Sequence, residues 1–250
     1  LNFRFVNDLF CSCHLLEKVY VCPILKILPQ LRKKFSNHSI SHRQDHPGYE
    51  FHEDMEEAII KRAIHTTGDF DYLYTMKFIN HVNERIVDVI QNKGTIIVDS
   101  SISLNGINKR VLDQMGVSYR CLINDEDVIH LLRKKNITRA MAAVEKASEI
   151  EGPKVFAFGG APTALFHLLD LIKEKKVEVD AIIGVPVGFI NVLESKEALL
   201  ATDLPVMVNE GRKGGSTLVV AIINAIIYQM QTIVTEDYVR YSTALNDKKG

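Results

Sequence analysis

Thr95-Ile96-Ile97-Val98-Asp99 is the stretch of sequence that decides the fold of this 250-residue chain. The run is short, rich in β-branched residues, and bounded by Gly94 on one side and by Ser100-Ser101 on the other. A run that is apolar throughout and bounded in this way is typical of a strand buried on both faces of its sheet. Similar runs, each predicted to be a strand, recur at 119–123, 155–158, 181–183 and 206–208.

Helical apolar patterns fill the intervals between these predicted strands. The first predicted helix begins near Asp54 and stops at Gly68, because acidic residues favour the first turn of a helix and glycine favours its C-terminal end. Buried strands that alternate with helices indicate an α/β fold with three layers, in which a mainly parallel sheet carries helices on both faces. The other predicted helices cover 72–92, 105–113, 125–134, 138–149, 163–175, 190–199 and 216–231.

Sequence character divides the chain into three parts. Residues 1–47 alternate apolar and basic patches without helical or strand periodicity, and we predict that they form a poorly defined N-terminal extension. Residues 48–233 carry the regular pattern and are predicted to be the α/β domain. Residues 234–250 are polar, end in Asp-Lys-Lys-Gly, and are predicted to fray as a C-terminal tail.

Bulk properties narrow the range of partners. Apolar residues make up 46% of the chain and the formal net charge is −1, so no global field steers it toward nucleic acid or an anionic membrane. No apolar run reaches the length that spans a bilayer. Cys11, Cys13, Cys22 and Cys121 show neither zinc-site spacing nor a disulfide framework. We therefore expect a cytoplasmic protein with no resident metal, no nucleic-acid partner and no membrane partner.

Four stretches lie where predicted strands end, which is where open α/β sheets bind ligands. Glycines in such turns let the backbone approach a ligand closely, and N–H groups at helix starts attract anions. Any one of these turns alone is better explained as a tight connection of the fold, but together they are expected to hold a flat ligand with several carboxylates. The stretches are Asp99-Ser100-Ser101, Gly159-Gly160-Ala161-Pro162-Thr163-Ala164, Gly184-Val185-Pro186-Val187-Gly188-Phe189 and Gly211-Arg212-Lys213-Gly214-Gly215-Ser216-Thr217.

The sequence of these turns matches none of the stricter nucleotide or hydrolase motifs. The 211–217 stretch lacks the Gly-x-x-x-x-Gly-Lys-Ser/Thr order of a P-loop, and Gly159-Gly160-Ala161 lacks the Gly-x-Gly-x-x-Gly dinucleotide pattern. Ser100, Ser101 and Ser216 lack the Gly-x-Ser-x-Gly context of a serine hydrolase. We therefore expect no nucleotide cofactor and no serine nucleophile.

Arg62-Ala63-Ile64-His65 lies near the end of the first predicted helix. A spacing of three places the Arg62 and His65 side chains on one helix face. The partial negative charge of a helix C-terminus favours an imidazolium and Asp69 reinforces it, whereas Arg62 and desolvation oppose it. If the favourable effects dominate, His65 is a general acid near neutral pH. The alternative is a structural histidine that caps the last carbonyl groups.

Arg139 follows Thr138 at the start of another predicted helix. An arginine at this position opposes the helix dipole, which is natural if the side chain binds a carboxylate ligand. A solvated surface arginine explains the position equally well.

Together these stretches resemble the precorrin-8X methylmutase family of the cobalamin pathway, also called cobalt-precorrin-8 methylmutase. The matching motifs follow the family's order over about 50–231, and five motifs in order are far more specific than one. They are Arg62-Ala63-Ile64-His65, Thr138-Arg139, Gly159-Gly160-Ala161-Pro162-Thr163-Ala164-Leu165-Phe166, Pro186-Val187-Gly188-Phe189 with Glu194-Ser195-Lys196, and Gly211-Arg212-Lys213-Gly214-Gly215-Ser216.

The resemblance implies an isomerase that moves a methyl group from carbon 11 to carbon 12 of precorrin-8X or cobalt-precorrin-8 by a [1,5]-sigmatropic shift. The product is hydrogenobyrinate or its cobalt form. The resemblance also implies a homodimer without redox or nucleotide cofactors. His65 matches the family's catalytic histidine, Arg62 its substrate-binding arginine, and Arg139 an active-site arginine. The other positions that we assign to substrate binding on this basis are Gly160, Pro162, Thr163, Gly188, Gly214, Gly215 and Ser216.

The N-terminal end departs from the family pattern, which opens with a segment whose serine touches substrate. Ser39 lies at about the right distance before His65, but its neighbours Ile40-Ser41-His42-Arg43 differ from that segment. On the basis of its distance from His65, Ser39 is the candidate for this contact. Two other functions stay open, namely a non-catalytic tetrapyrrole-binding or carrier protein and an unrelated nucleotide-binding α/β protein.

Overall fold

The computed structural model describes the backbone of residues 49–246 and the side chains of residues 49–231. The predicted extension over 1–47, with the candidate Ser39, lies outside the described residues. The strands are β1 (Met76–Ile79), β2 (Thr95–Val98), β3 (Ser118–Arg120), β4 (Lys154–Phe158), β5 (Ala181–Gly184) and β6 (Val206–Asn209). The helices are α1 (Asp54–Thr67), α2 (Tyr72–Thr75), α3 (Val82–Gln91), α4 (Ser101–Gly106), α5 (Lys109–Met115), α6 (Glu126–Lys135), α7 (Arg139–Ser148), α8 (Pro162–Lys173), α9 (Val192–Leu200) and α10 (Ser216–Asn246).

The strands form one sheet in the order β1-β6-β5-β4-β2-β3. β1 runs antiparallel to β6, and every other neighbouring pair is parallel. The chain leaves β2 toward β3 on one side and returns to β4 on the other side, so the connections after β2 and β4 diverge. A divergence of this kind opens a crevice at the carboxyl ends of the two strands, where α/β folds bind ligands.

Helices cover both faces of the sheet, as the alternation of side chains along β4 makes clear. β4 is buried along its whole length. Val155 and Ala157 belong to the apolar core that includes residues of α1 and α10, whereas Phe156 and Phe158 belong to the core that includes residues of α7 and α8. The predicted α/β fold, with a mainly parallel sheet between two helical layers, is thereby confirmed.

The single long helix predicted over 72–92 is wrong. α2 is one turn long, β1 follows it, and α3 begins only at Val82. Asn80 and His81 separate β1 from α3 with φ angles of 53° and 57°, which lie in the left-handed region and interrupt a right-handed helix. The apolar pattern of Met76-Lys77-Phe78-Ile79 suits either structure. The free edge of β6 decides for the strand, because pairing there satisfies backbone groups of both segments.

Other predicted boundaries differ by smaller amounts. The strand predicted over 119–123 is Ser118–Arg120, and the helix predicted over 105–113 is divided into α4 and α5. The division occurs because Asn108 caps α5, its side chain accepting a hydrogen bond from the N–H of Val111. α10 continues to Asn246, beyond its predicted end at 231.

Gly214 provides a test of how closely the turns after β5 and β6 approach each other. Its φ is +146°, and a Cβ built on it would come within 2.2 Å of the Val185 carbonyl oxygen, whereas Gly211 in the same turn has φ +83° and open space around it. We predict that Gly214→Ala lowers the free energy of unfolding by about 3 kcal/mol or more, because strain and overpacking add. Gly211→Ala should cost about 1 kcal/mol, from backbone conformation alone. Urea unfolding of both variants measures the difference, and equal costs would contradict a rigid close approach.

Candidate active site

Asp99, at the carboxyl end of β2, bridges the crevice between β2 and β4. Its Oδ2 accepts hydrogen bonds from the N–H groups of Gly159 at 2.9 Å, Gly160 at 2.7 Å and Ala161 at 3.0 Å. These three residues connect β4 to α8, which begins at Pro162. A carboxylate in this place takes the position that an anionic ligand takes at other helix N-termini. The anion-binding turn after β4 is therefore occupied by the protein's own side chain.

This occupation changes what the turn after β4 offers to a ligand. Its three N–H groups already donate to Asp99, so they are not free for the carboxylates of a ligand. Gly160 is exposed and has no side chain, and Pro162 has no N–H to donate. These two residues can therefore contact a ligand by close approach of the backbone, but not by hydrogen bonds from their N–H groups. Thr163 is exposed in the first turn of α8 and adds a hydroxyl group.

Asp99 experiences opposing electrostatic effects. Burial raises the pKa of its carboxyl group, and the backbone hydrogen bonds from the 159–161 turn act in the opposite direction. Its Oδ1 is buried and has no hydrogen-bond partner among the described residues. Asp99 also lines a cavity of about 20 Å³ whose walls include Ala140 and Ala143 of α7. The first turn of α7, which begins with Arg139, is therefore next to this end of β2.

Hydrogen bonds join the four turns at this edge of the sheet. The hydroxyl oxygens of Ser100 after β2 and Ser216 at the start of α10 are 2.8 Å apart. Backbone bonds connect the other turns, from Val187 N to Gly159 O at 3.2 Å, from Gly188 N to Arg212 O at 3.2 Å, and from Gly215 N to Val185 O at 2.8 Å. The structure thus brings together a set of predicted substrate positions whose binding role stays a prediction: Gly160, Pro162, Thr163, Gly188, Gly214, Gly215 and Ser216.

Lys196, in α9, supports the turn after β6 from inside the protein. The residue is 2% exposed, and its Nζ donates hydrogen bonds to the carbonyl oxygens of Gly211 at 2.7 Å and Lys213 at 2.8 Å. The side-chain amide of Asn209 donates to the same Lys213 carbonyl at 2.6 Å. Burial lowers the pKa of Lys196 to about 8, because removal from water disfavours the ammonium form. Hydrogen bonds from a buried amine therefore fix the shape of this turn.

Lys213 joins the same turn to the end of α1. Its Nζ lies 2.5 Å from Oδ2 of Asp69 and 2.5 Å from Oδ2 of Asp71. The hydrogen bond from Lys213 lowers the pKa of Asp69, and the hydrogen bonds to Asp69 and Asp71 raise the pKa of Lys213. Asp69 and Lys213 therefore stay charged near neutral pH. Because Asp69 follows the end of α1 directly, the ion pair between Lys213 and Asp69 connects the helix end that carries His65 to the edge of the sheet.

His65 lies in the last turn of α1 and its side chain is exposed. Gly68 ends the helix in the left-handed conformation and donates its N–H to the Ile64 carbonyl at 2.7 Å. The His65 ring makes no hydrogen bond or ion pair with another described residue. Asp69, which we expected to reinforce a positive charge on His65, instead binds Lys213.

The two predicted arginines occupy different surroundings. The Arg62 guanidinium lies over the ring of Tyr228 in α10, 4.9 Å from the ring centroid, and this cation–π contact orients the side chain. The Tyr228 hydroxyl in turn accepts a hydrogen bond from the side chain of Asn108 at 2.9 Å. Arg139 is exposed at the start of α7, after Thr138, whose hydroxyl caps the helix. Arg62 is therefore held against α10, whereas Arg139 extends from the helix next to Asp99.

Large apolar side chains are exposed around the same turns. Phe189 and Ile190, after β5, are 83% and 81% exposed, and Ile102 in α4 is 66% exposed. Arg212 restrains the loop after β5, because its Nη1 donates a hydrogen bond to the Phe189 carbonyl at 2.8 Å and its guanidinium lies 5.7 Å from the ring centroid of Phe189. Exposed large apolar side chains are typical of surfaces that contact a ligand or a partner.

Asp99, Lys196 and Lys213 lie within the sequence stretches quoted above, but the sequence patterns assigned no individual role to any of them. A signal existed for Lys196, since it shares the buried face of α9 with Val192 and Leu199, and a lysine at a core position requires polar partners. Asp99 is an acidic residue directly after a buried strand, but the three N–H groups that bind it are about 60 residues away in the chain. Lys213 offered no local signal, because Asp71 precedes it by 142 residues.

Metal-binding clusters and membrane-spanning helices are both absent from the described part of the chain. No group of three or more His, Cys, Asp or Glu side chains is arranged to hold a metal ion within that part. None of its helices combines the length and the apolar character that crossing a membrane would require.

A family model described as precorrin-8X methylmutase matches residues 34–229 of this chain. The cobalt-precorrin-8 methylmutase of Salmonella typhimurium is 45% identical over 190 residues, which cover 76% of this chain and 89% of that protein. The cobalt-precorrin-8 methylmutase of Methanocaldococcus jannaschii is 38% identical over 178 residues, which cover 71% of this chain and 81% of that protein.

Two solved structures are similar in both sequence and fold. The precorrin-8X methyl mutase of Thermus thermophilus is 34% identical with a TM-score of 0.69, and the match covers 78% of this chain and 96% of that chain. A precorrin-8X methylmutase related protein is 28% identical with a TM-score of 0.65, and the match covers 71% of this chain and 93% of that chain. The α/β fold described above is therefore the fold of solved relatives.

The buried ammonium of Lys196 predicts how stability depends on alkaline pH. The pKa of Lys196 is about 8 in the folded protein against 10.5 for an ordinary lysine, so the unfolded chain binds more protons between these values and folding stability rises with pH across that window. As the pH rises through this window, the free energy of unfolding of the wild type should increase by on the order of 2–3 kcal/mol relative to that of Lys196→Met. Urea unfolding of both proteins below, within and above the window measures this gain. A difference that is flat or decreases with pH would contradict a buried charge.

Proposed function

Because this chain belongs to the precorrin-8X methylmutase family, whose members are isomerases of cobalamin biosynthesis, we propose that it is a methyl-shifting isomerase. In this proposal it moves a methyl group from carbon 11 to carbon 12 of precorrin-8X or cobalt-precorrin-8, with His65 as general acid. The product is hydrogenobyrinate or its cobalt form. The observation that carries the proposal is the position of His65. It is exposed in the last turn of α1, and the loop that follows is bound through Lys213 to the edge of the sheet where the turns meet.

The proposed reaction is a rearrangement within one molecule. The bond from the methyl group to carbon 11 breaks as the bond to carbon 12 forms, so no atom is gained or lost. Such a pericyclic step needs no nucleophile, but it needs the macrocycle held still and its electrons redistributed. In this proposal the imidazolium of His65 hydrogen-bonds to the ring system, favours the conjugated product, and recovers its proton as the product forms.

The carboxylate arms of the macrocycle require cationic partners, because the N–H groups of the 159–161 turn already donate to Asp99. We assign this role to the guanidinium groups of Arg62 and Arg139, since guanidinium binds carboxylate through paired hydrogen bonds. The glycine-rich turns, with Thr163 and Ser216, lie where close backbone approach to the ring is possible. The exposed Phe189 offers an apolar surface to the face of the macrocycle.

Cobalt enters this proposal as part of the substrate rather than as a cofactor. The relatives from Salmonella typhimurium and Methanocaldococcus jannaschii are named for cobalt-precorrin-8, which makes the cobalt form the first substrate to offer. The proposal also includes residues 48–233 as the methylmutase domain, a homodimer, and a cytoplasmic location.

Replacement of His65 tests the catalytic assignment. Anaerobic incubation of the wild type with cobalt-precorrin-8, and separately with precorrin-8X, should convert at least one of them to a product with a new absorption spectrum. His65→Ala should lower kcat by about 10²- to 10⁴-fold, which is the usual contribution of a general acid, while substrate still binds. His130→Ala, at an exposed position in α6, is the matched control and should keep full turnover.

The other outcomes separate the remaining functions. A tetrapyrrole that binds but is never converted, with or without His65, would contradict the isomerase and indicate a binding or carrier protein. Turnover that survives His65→Ala would contradict the general-acid role alone. Failure of both tetrapyrroles to bind would contradict the proposed function as a whole, and thermal stabilisation by a nucleotide would then indicate a nucleotide-binding protein.

A further inference from the structure

The loop between α1 and α2 is compact and is bound to the turn after β6. The N–H of Asp69 donates to the Thr67 hydroxyl at 3.3 Å, and the N–H of Asp71 donates to Oδ1 of Asp69 at 3.0 Å. Tyr72, which follows, is 2% exposed. The outward Oδ2 atoms of Asp69 and Asp71 both bind the Lys213 ammonium. A movement of Lys213 would therefore move this loop, and with it the end of α1.

The backbone of Lys213 is fixed independently of its side chain. Its carbonyl oxygen accepts hydrogen bonds from Nζ of Lys196 at 2.8 Å and from the amide of Asn209 at 2.6 Å. Lys196 and Asn209 are 2% and 0% exposed, so both donors belong to the rigid interior. A continuous path of hydrogen bonds thus runs from the core, through the main chain and side chain of Lys213, to the loop after His65.

We propose that Lys213 is a positioning residue for the methylmutase reaction, which holds the end of α1 so that His65 meets the substrate bound at the glycine turns, and that Lys196 anchors Lys213 for this purpose. The inference deepens the proposed function and rests on the role of His65 as general acid. Neither lysine touches the reacting atoms in this scheme.

The exposure of these groups separates a positioning role from a stabilising one. The Lys213 side chain is 50% exposed, that of Asp71 is 65% exposed and that of Asp69 is 28% exposed. Ion pairs at such exposure contribute little to stability. A purely structural role therefore predicts almost no consequence of removing Lys213. A positioning role predicts a large loss of turnover, because misplacement of a catalytic group by about 1 Å costs roughly 10²-fold in rate.

The experiment compares Lys213→Met with Lys213→Arg, which keeps the cation. Lys176→Met is the matched control, since Lys176 pairs with Glu174 with side chains 63% and 53% exposed and lies outside this path. For each full-length variant, kcat and KM are measured with the substrate that the wild type converts, and hydrogen exchange is measured for the amides of residues 66–73.

For Lys213→Met we expect kcat to fall by about 10- to 100-fold with little change in KM, since the substrate arms bind elsewhere. Exchange of the 66–73 amides should become faster, while the melting temperature stays near that of the wild type. Lys213→Arg should recover most of the turnover, and Lys176→Met should match the wild type. Lys196→Met should speed exchange of the 211–215 amides and should lower kcat, as Lys213→Met does.

Two results would overturn the inference. Unchanged exchange of the 66–73 amides in Lys213→Met would show that Lys213 does not hold the loop. Faster exchange with unchanged kcat would show that the loop does not position His65. Absence of turnover in the wild type would instead overturn the proposed function and the catalytic half of this inference with it, and the exchange result would still decide whether Lys213 holds the loop.

Discussion

The carboxylate of Asp99 is the constraint on which the rest of this site depends. One oxygen atom binds three consecutive N–H groups across the crevice between β2 and β4. In doing so it neutralises the N-terminal end of α8 and fixes the two strands at the point where their connections diverge. Many α/β proteins leave this position open for a phosphate or a nucleotide. Here the protein supplies the anion itself, so ligand binding must use other groups.

That constraint is consistent with a large ligand that is held at its periphery. Hydrogen bonds join the glycine turns to one another, and the buried Lys196 fixes the turn after β6. The turns therefore form a preformed surface rather than a set of N–H groups that are free to donate to a ligand. In the proposed function, Arg62 and Arg139 bind the carboxylate arms and His65 donates the proton. An isomerase that shifts a methyl group within one macrocycle needs this combination of rigidity, peripheral charge and one acid.

Local patterns allowed most of the fold to be predicted, because the central strands are apolar throughout and the helices between them are periodic. The pattern failed over 72–92, where an edge strand forms only because β6 lies beside it. The motif positions Arg62, His65 and Arg139 were identified from sequence, but their surroundings were not. The sequence predicts that Asp69 supports a positive charge on His65, but Asp69 binds Lys213 instead, 144 residues later in the chain. Contacts across such separations leave no local trace.

The most direct test of this account is a crystal structure of the protein with the product of the proposed reaction, hydrogenobyrinate or its cobalt form. The account predicts that a ring nitrogen of His65 lies within hydrogen-bond distance of the macrocycle, that Arg62 or Arg139 binds an arm carboxylate, and that Oδ2 of Asp99 keeps its three hydrogen bonds. A macrocycle carboxylate that replaces Asp99 on the 159–161 turn, or a macrocycle bound away from His65, would contradict it.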